Sequence, residues 1–195
     1  MNAVTRRLHG LTLAAALAAL ASPAQAQHWT ATMSGAFEVP AVRTTATGFA
    51  DLVLNGNLLT VNELWTGLLG GNPAAAHIHC CIAPGNNIGV AVPFTGFPAA
   101  TSGTYNHIFD LSLSSTYTAA FISNFGGGTA AGAEAALIGG FNAGTAYVNI
   151  HNATWPGGEI RGLVVVATPE PASIGLLATG LIGIAGLALK RRRKV

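Results

Sequence analysis

The sequence predicts an all-β domain, an antiparallel β-sandwich with one short helix, set between two apolar end segments. Three observations lead there. Apolar and polar residues alternate with period two through most of the middle of the chain, as a half-buried strand requires. Glycine, proline and asparagine clusters interrupt that alternation at short intervals, so the strands are short and joined by turns. Only residues 131–138 carry helical spacing, with Ala133, Ala136 and Leu137 at i, i+3 and i+4.

In chain order, residues 30–39 alternate loosely and residues 48–54 alternate with β-forming side chains. Asn55-Gly56 predicts a two-residue hairpin turn, after which residues 58–68 return as the partner strand. Leu59, Val61, Glu63 and Trp65 then share one face. Gly70-Gly71-Asn72-Pro73 ends that strand, and further short strands are expected over residues 76–79, 89–92, 103–111, 145–151 and 159–166. Eight or so such strands fold as packed layers around one core.

The ends are of a different kind. Arg6 and Arg7, an Ala/Leu run over residues 11–21 and Ala24-Gln25-Ala26 make a secretory signal, residues 1–26, with the mature chain starting at Gln27. Residues 172–189 form an 18-residue run without charge, followed by Lys190, Arg191, Arg192, Arg193 and Lys194. At about 1.5 Å per residue such a helix reaches roughly 27 Å, enough to cross the hydrocarbon core of a bilayer. The cations keep that end cytoplasmic and leave the domain, residues 27–167, on the far side.

Seven of the nine basic residues lie in these end segments. The domain itself has Arg43 and Arg161 against Glu38, Asp51, Glu63, Asp110, Glu134 and Glu159, a net charge of −4 with no lysine. A domain of that sign does not bind a phosphate backbone, which excludes nucleic acid as a partner. No nucleophile elbow, phosphate loop or His-Glu-x-x-His motif is present, so the sequence asks for no enzyme.

The chemistry concentrates in His77-Ile78-His79-Cys80-Cys81 and, seventy residues on, Tyr147-Val148-Asn149-Ile150-His151. In a strand, His77 and His79 point to one face. With His151 they make a candidate site for Cu or Zn, both of which accept imidazole; Cys80 or Cys81 would add a soft donor. Histidines at strand ends also bond backbone carbonyls, which needs no metal. For the two cysteines a vicinal disulfide, a link to another chain and metal ligation all stay open, the first being favoured in an oxidising compartment. In Pro156-Gly157-Gly158-Glu159-Ile160-Arg161-Gly162, Gly157 and Gly158 supply positive φ or close approach at a turn. Glu159 and Arg161 are expected on one face of the strand that follows, paired with each other or with a neighbour. His28 and His107 read as surface residues, and Trp65 and Trp155 as packing. The glycine-rich Phe125-Gly126-Gly127-Gly128 segment is a weaker candidate for holding a polysaccharide or small molecule.

Three resemblances rest on these residues. Thr168-Pro169-Glu170-Pro171, the apolar run and the basic tail, residues 168–195, resemble the PEP-CTERM sorting signal of Gram-negative bacteria. It implies export, an inner-membrane stage with the domain in the periplasm, processing by an exosortase, and passage to the cell surface or extracellular matrix. Phe37-Glu38-Val39-Pro40, Ala46-Thr47-Gly48, Ala76-His77-Ile78-His79, Ala146-Tyr147-Val148-Asn149-Ile150-His151 and the Pro156 to Gly162 motif, in that order, resemble the CHRD (chordin-type) domain. It implies an immunoglobulin-like or dismutase-like sandwich in an exported protein. The His-x-His strand, a later strand ending in His and a following Arg also resemble the Cu/Zn superoxide dismutase sandwich. That likeness implies copper on His77, His79 and His151 with Arg161 guiding an anion. It is incomplete, because residues 82–103 contain no His, Asp or Glu to serve as zinc ligands.

The reading is therefore an exported, non-enzymatic binding or structural module of the envelope or matrix. It is handled by the secretion machinery and an exosortase, and exopolysaccharide or envelope components are its expected partners. The alternative is a copper-dependent redox protein with a dismutase-like site.

Overall fold

A computed structural model describes residues 26–167. The expected signal segment, the Pro169-Glu170-Pro171 motif and the apolar run at 172–189 lie outside the described residues. Among the described residues, no helix is long and apolar enough to cross a membrane.

Strands β1 (Gln27–Ser34), β2 (Thr47–Asn55) and β3 (Leu58–Thr66) form an antiparallel meander. Asn55 pairs with Leu58, so the hairpin turns on Gly56-Asn57, one residue later than the Asn55-Gly56 motif suggested. Gly56 takes φ +59°, the left-handed conformation that the first central position of such a turn demands. The chain then crosses to the hairpin of β4 (Pro73–Cys80) and β5 (Val90–Pro93), and returns as β6 (Gly103–Asp110) beside β3. Helices α1 (Ala119–Phe125) and α2 (Ala130–Ala143) follow, then β7 (Ala146–Asn152), β8 (Ile160–Leu163) and β9 (Val165–Val166).

All nine strands of the described residues belong to one sheet in the order β5-β4-β7-β8-β1-β2-β3-β6, with β9 also on β1. The expectation of two packed sheets is thus met in strand direction and composition but not in connectivity: a single antiparallel sheet curls around one core. Its two edges meet through aromatic rings. Phe94, just after β5, lies 5.2 Å from Tyr105 and 5.6 Å from Phe109 of β6, centroid to centroid, and Tyr105 donates a hydrogen bond to the Thr95 carbonyl. Aromatic packing does for the edges what ladder hydrogen bonds cannot.

The core follows the predicted alternation. Trp29, Met33, Leu52, Leu59, Ile78, Ile150 and Ile160 are wholly buried on the inner face, each stabilising by about 1.5–3 kcal/mol on burial. Among the described residues two α-helices are present where one was expected. Each starts at a threonine whose hydroxyl accepts from a first-turn N–H, Thr118 from Phe121 and Thr129 from Gly132. α2 ends at Gly144, in the left-handed conformation that closes a helix. Of the Phe125 to Gly128 segment, Phe125 ends α1 and the three glycines begin the connection to α2, with Gly127 and Gly128 at positive φ.

Cys80 and Cys81 form a disulfide across a cis peptide bond. α2 packs directly on it: a Cβ at Gly140 would stand 2.2 Å from the Cys80 sulfur. Both sulfurs touch the Ala136 carbonyl, a contact rather than a hydrogen bond because neither carries hydrogen.

Candidate metal centre

β4, β7 and β8 lie side by side, and the register places His77 opposite Asn149, His79 opposite Tyr147, Ala75 opposite His151 and Asn149 opposite Arg161. Period-two alternation sends all these side chains to the outer face, away from the core lined by Ile78, Val148 and Ile150. On this half of the sheet the outer face is not open. The segment from Glu38, the loop of residues 81–89 and the turn after β7 lie over it, and β7 is buried on both faces.

His77, His79 and His151 converge, one ligating nitrogen of each within 4.8 Å of the others. The centre of such a triangle is roughly 2.8 Å or less from each atom, against metal–nitrogen bonds of about 2.0–2.1 Å, so modest ring closure would suffice. His79 Nδ1 lies 2.7 Å from the Ile88 carbonyl and His151 Nδ1 2.9 Å from the Pro156 carbonyl. A carbonyl only accepts, so each Nδ1 carries the proton and each Nε2 has a free lone pair. His79 Nε2, His151 Nε2 and His77 Nδ1 are all buried without a hydrogen-bond partner. Burial, foremost, holds all three imidazoles below the usual histidine range, His77 down to about 4 with help from His151 and His79. They are neutral at pH 7, the form that binds a metal. The carbonyl bonds that would explain strand-end histidines without a metal are present, and they leave the opposite nitrogens unexplained.

The cysteines do not join this set. Alternation turns Cys80 to the core face, and its sulfur is bonded to Cys81, so the expected soft donor is absent. Nor do Glu159 and Arg161 pair with each other. Glu159 is wholly buried and accepts from Thr44 Oγ1 at 2.6 Å, the backbone N–H groups of Leu69 and Gly70, and the Asn152 amide. Asn152 in turn accepts from Trp155 N, which shapes the turn presenting the Pro156 carbonyl to His151. Arg161 forms an ion pair with Glu38 at 3.1 Å, donates to the Asn86 carbonyl and the Asn87 side chain, and lies 4.0 Å from the Tyr147 ring centroid. It thereby anchors the loop whose Ile88 carbonyl orients His79. Each charged residue of the motif fixes one loop, and each loop fixes one histidine.

Gly158 is needed at close quarters: at φ +124°, its Cβ would meet Glu38 Oε1 at 2.3 Å and Asn149 Nδ2 at 2.6 Å. Gly157 has open space where a Cβ would go and no positive φ, so only one of the two glycines meets the expected need. Asn149, buried with Oδ1 unpartnered, escaped the sequence reading as a site residue. Its place two residues before His151 was the available signal. Elsewhere, Trp65 is buried as expected. His28 is not free, its Nε2 lying 2.5 Å from Asp51 Oδ2, and the His107 ring packs at a tilt on Phe109, 4.4 Å between centroids.

A curled antiparallel β-domain with one covered, histidine-bearing outer face is the class that fold and site define. The chain belongs to the CHRD domain family, whose match covers residues 29–164. Residues 167–194 match the PEP-CTERM protein-sorting motif, which marks an exported protein of Gram-negative bacteria processed by an exosortase. No match was found among curated proteins or solved structures.

Proposed function

We propose that this chain is an exported, non-enzymatic module of the cell envelope or matrix that holds a single transition-metal ion, Cu or Zn, between His77, His79 and His151. The observation that carries the reading is the convergence of three neutral imidazoles whose free nitrogens are buried and unpartnered. Unpaired buried polar atoms are costly, and three in one place are best understood as waiting for one electrophile. On this reading the sorting tail holds the protein at the inner membrane through residues 172–189 until exosortase processing, with the domain outside the cytoplasm. Envelope polymers, exopolysaccharide among them, are its proposed surroundings. The dismutase alternative is not favoured, because Arg161 is 3% exposed and committed to Glu38, Asn86, Asn87 and Tyr147. It is not free to guide an anion.

The test is calorimetric titration of the full-length, detergent-solubilised chain, stripped of metal, with Zn(II) and Cu(II). One ion per chain is expected, with affinity lowered at least about 100-fold in His79→Ala. Equal, weak binding by both proteins rejects the site. A circular dichroism spectrum matching the parent shows that the variant has folded.

A further inference from the structure

We infer that Asn149 is the fourth donor of this site, its side-chain carbonyl oxygen completing an uncharged set of three nitrogens and one oxygen. The inference rests on the metal reading above and goes beyond it. Asn149 is 1% exposed and stands on the same face as the histidines, directly across the ladder from His77 and two residues from His151. His79 is its diagonal neighbour on the same ladder, paired with Tyr147 two residues before it. The His79 nitrogen not engaged by Ile88 bears a lone pair, and so does Asn149 Oδ1; both are buried and neither has a partner. Two acceptors brought together without a proton between them repel, unless a cation draws on both.

The amide is oriented for this by the other side of the site. Asn149 Nδ2 and Glu38 Oε1 border the same small space beside Gly158, 2.6 and 2.3 Å from where a Cβ would stand there, so the NH2 end is on the carboxylate side and Oδ1 turns away from it. Arg161, paired with Glu38 at 3.1 Å, opposes the rise that burial imposes on its carboxyl and fixes where that carboxyl sits, and Gly158 leaves the room. Glu38 and Arg161 are therefore positioning residues: through the amide they aim an oxygen at the place where three imidazoles already point. Neither side chain is a ligand, and the four donors bring no net charge. Four neutral donors suit a tetrahedral ion such as Zn(II) without calling on the cysteines.

The experiment uses Co(II), a coloured stand-in for Zn(II), added to the metal-free full-length chain in detergent. Visible absorption reports coordination, and Zn(II) displacement reports affinity. The parent is expected to bind one Co(II) with the intense bands of a four-coordinate site. Asn149→Leu, similar in volume, is expected to bind 10- to 100-fold more weakly with shifted bands, while His77, His79 and His151 still hold the ion. Asn149→Asp, which keeps an oxygen in place and adds charge, is expected to bind at least 10-fold more tightly. It also serves if the leucine variant does not fold. An Asn149→Leu protein with the parent's spectrum and affinity, or an Asn149→Asp protein with the parent's affinity, overturns the assignment and leaves the three-histidine site standing. Failure of the parent to bind any metal overturns both.

Discussion

The two halves of the sheet obey the same alternation and use it for different ends. In β2 and β3, every second residue is buried and the ones between face solvent: Phe49, Asn62 and Leu64 are exposed while Leu52, Leu59 and Val61 are sealed. In β7 both faces are buried, because loops cover the outer one. A polar residue on an open face needs no partner beyond water. On a covered face it must find one inside the protein, and Glu159 and Arg161 do, as does one oxygen of Glu38. The free nitrogens of His77, His79 and His151, and Asn149 Oδ1, do not. Covering a sheet face turns ordinary strand polarity into a site.

The sharpest way to break that contrast is to remove the cation that holds the cover down. Arg161→Met leaves Glu38 buried and uncompensated, and frees the loop at Asn86 and Asn87. A loss of about 3–5 kcal/mol is expected in denaturant unfolding of the full chain. Removing the partner as well, in Glu38→Leu with Arg161→Met, should return a large part of that loss. The remaining deficit measures the loop anchoring alone. A single substitution costing less than about 1 kcal/mol would mean that the cover is held by other means.

The open half was the legible half. Observed bounds of β2 and β3 fall within two residues of those read from alternation, since alternation is visible only where one face meets water. The covered half was legible in its histidines and not in its charges. His77 and His79 share a face by spacing alone, but the partner of Arg161 is Glu38, brought alongside by the β1–β8 pairing rather than by any local pattern. Glu159 precedes β8, so it does not share the strand geometry that would have set it beside Arg161. α1 is seven residues of mostly apolar side chains, too short for its period to show; Thr118 and Thr129 were the capping signals that could have marked both helices. The disulfide was one of several open states for Cys80 and Cys81, and the fold chooses it by packing both sulfurs beneath α2.

Glu63 tests the contrast from the opposite side, as the carboxyl on the inner face of the open half. It is 2% exposed, neither oxygen has a hydrogen-bond partner, and burial pushes its pKa up to about 8. Tyr105, directly across the ladder, is pushed up to about 12 by burial and then by Glu63. A folded-state pKa above the unfolded value of about 4.5 makes the acid form the stable one inside. Stability is therefore fully present below pH 4.5 and falls as pH rises toward 8, by about 1.4 kcal/mol per unit. Above pH 7 an unfolded imidazole of ordinary value 6.5 is already mostly neutral, so the larger part of the slope between pH 7 and 8 belongs to Glu63. Glu63→Gln should flatten it, measured as urea midpoints at the two pH values. A slope unchanged by the substitution would place the titrating group elsewhere.

The smallest effect is expected where the outer face is open. Ile108 on β6 is 57% exposed, with Thr60 across the ladder on β3. Ile108→Thr keeps a β-branched side chain, so strand preference is preserved, and it removes apolar surface that water already wets. The unfolding free energy should move by no more than about 0.5 kcal/mol. The comparison within the covered half is Tyr147→Thr, where a ring packed on both His79 and Arg161 is lost at a residue 3% exposed; there a loss of several kcal/mol is expected. Should Ile108→Thr cost more than about 1 kcal/mol in the full chain, the outer face of β2, β3 and β6 would have to be covered in the working protein too. The difference between the two halves would then be one of partner rather than of fold.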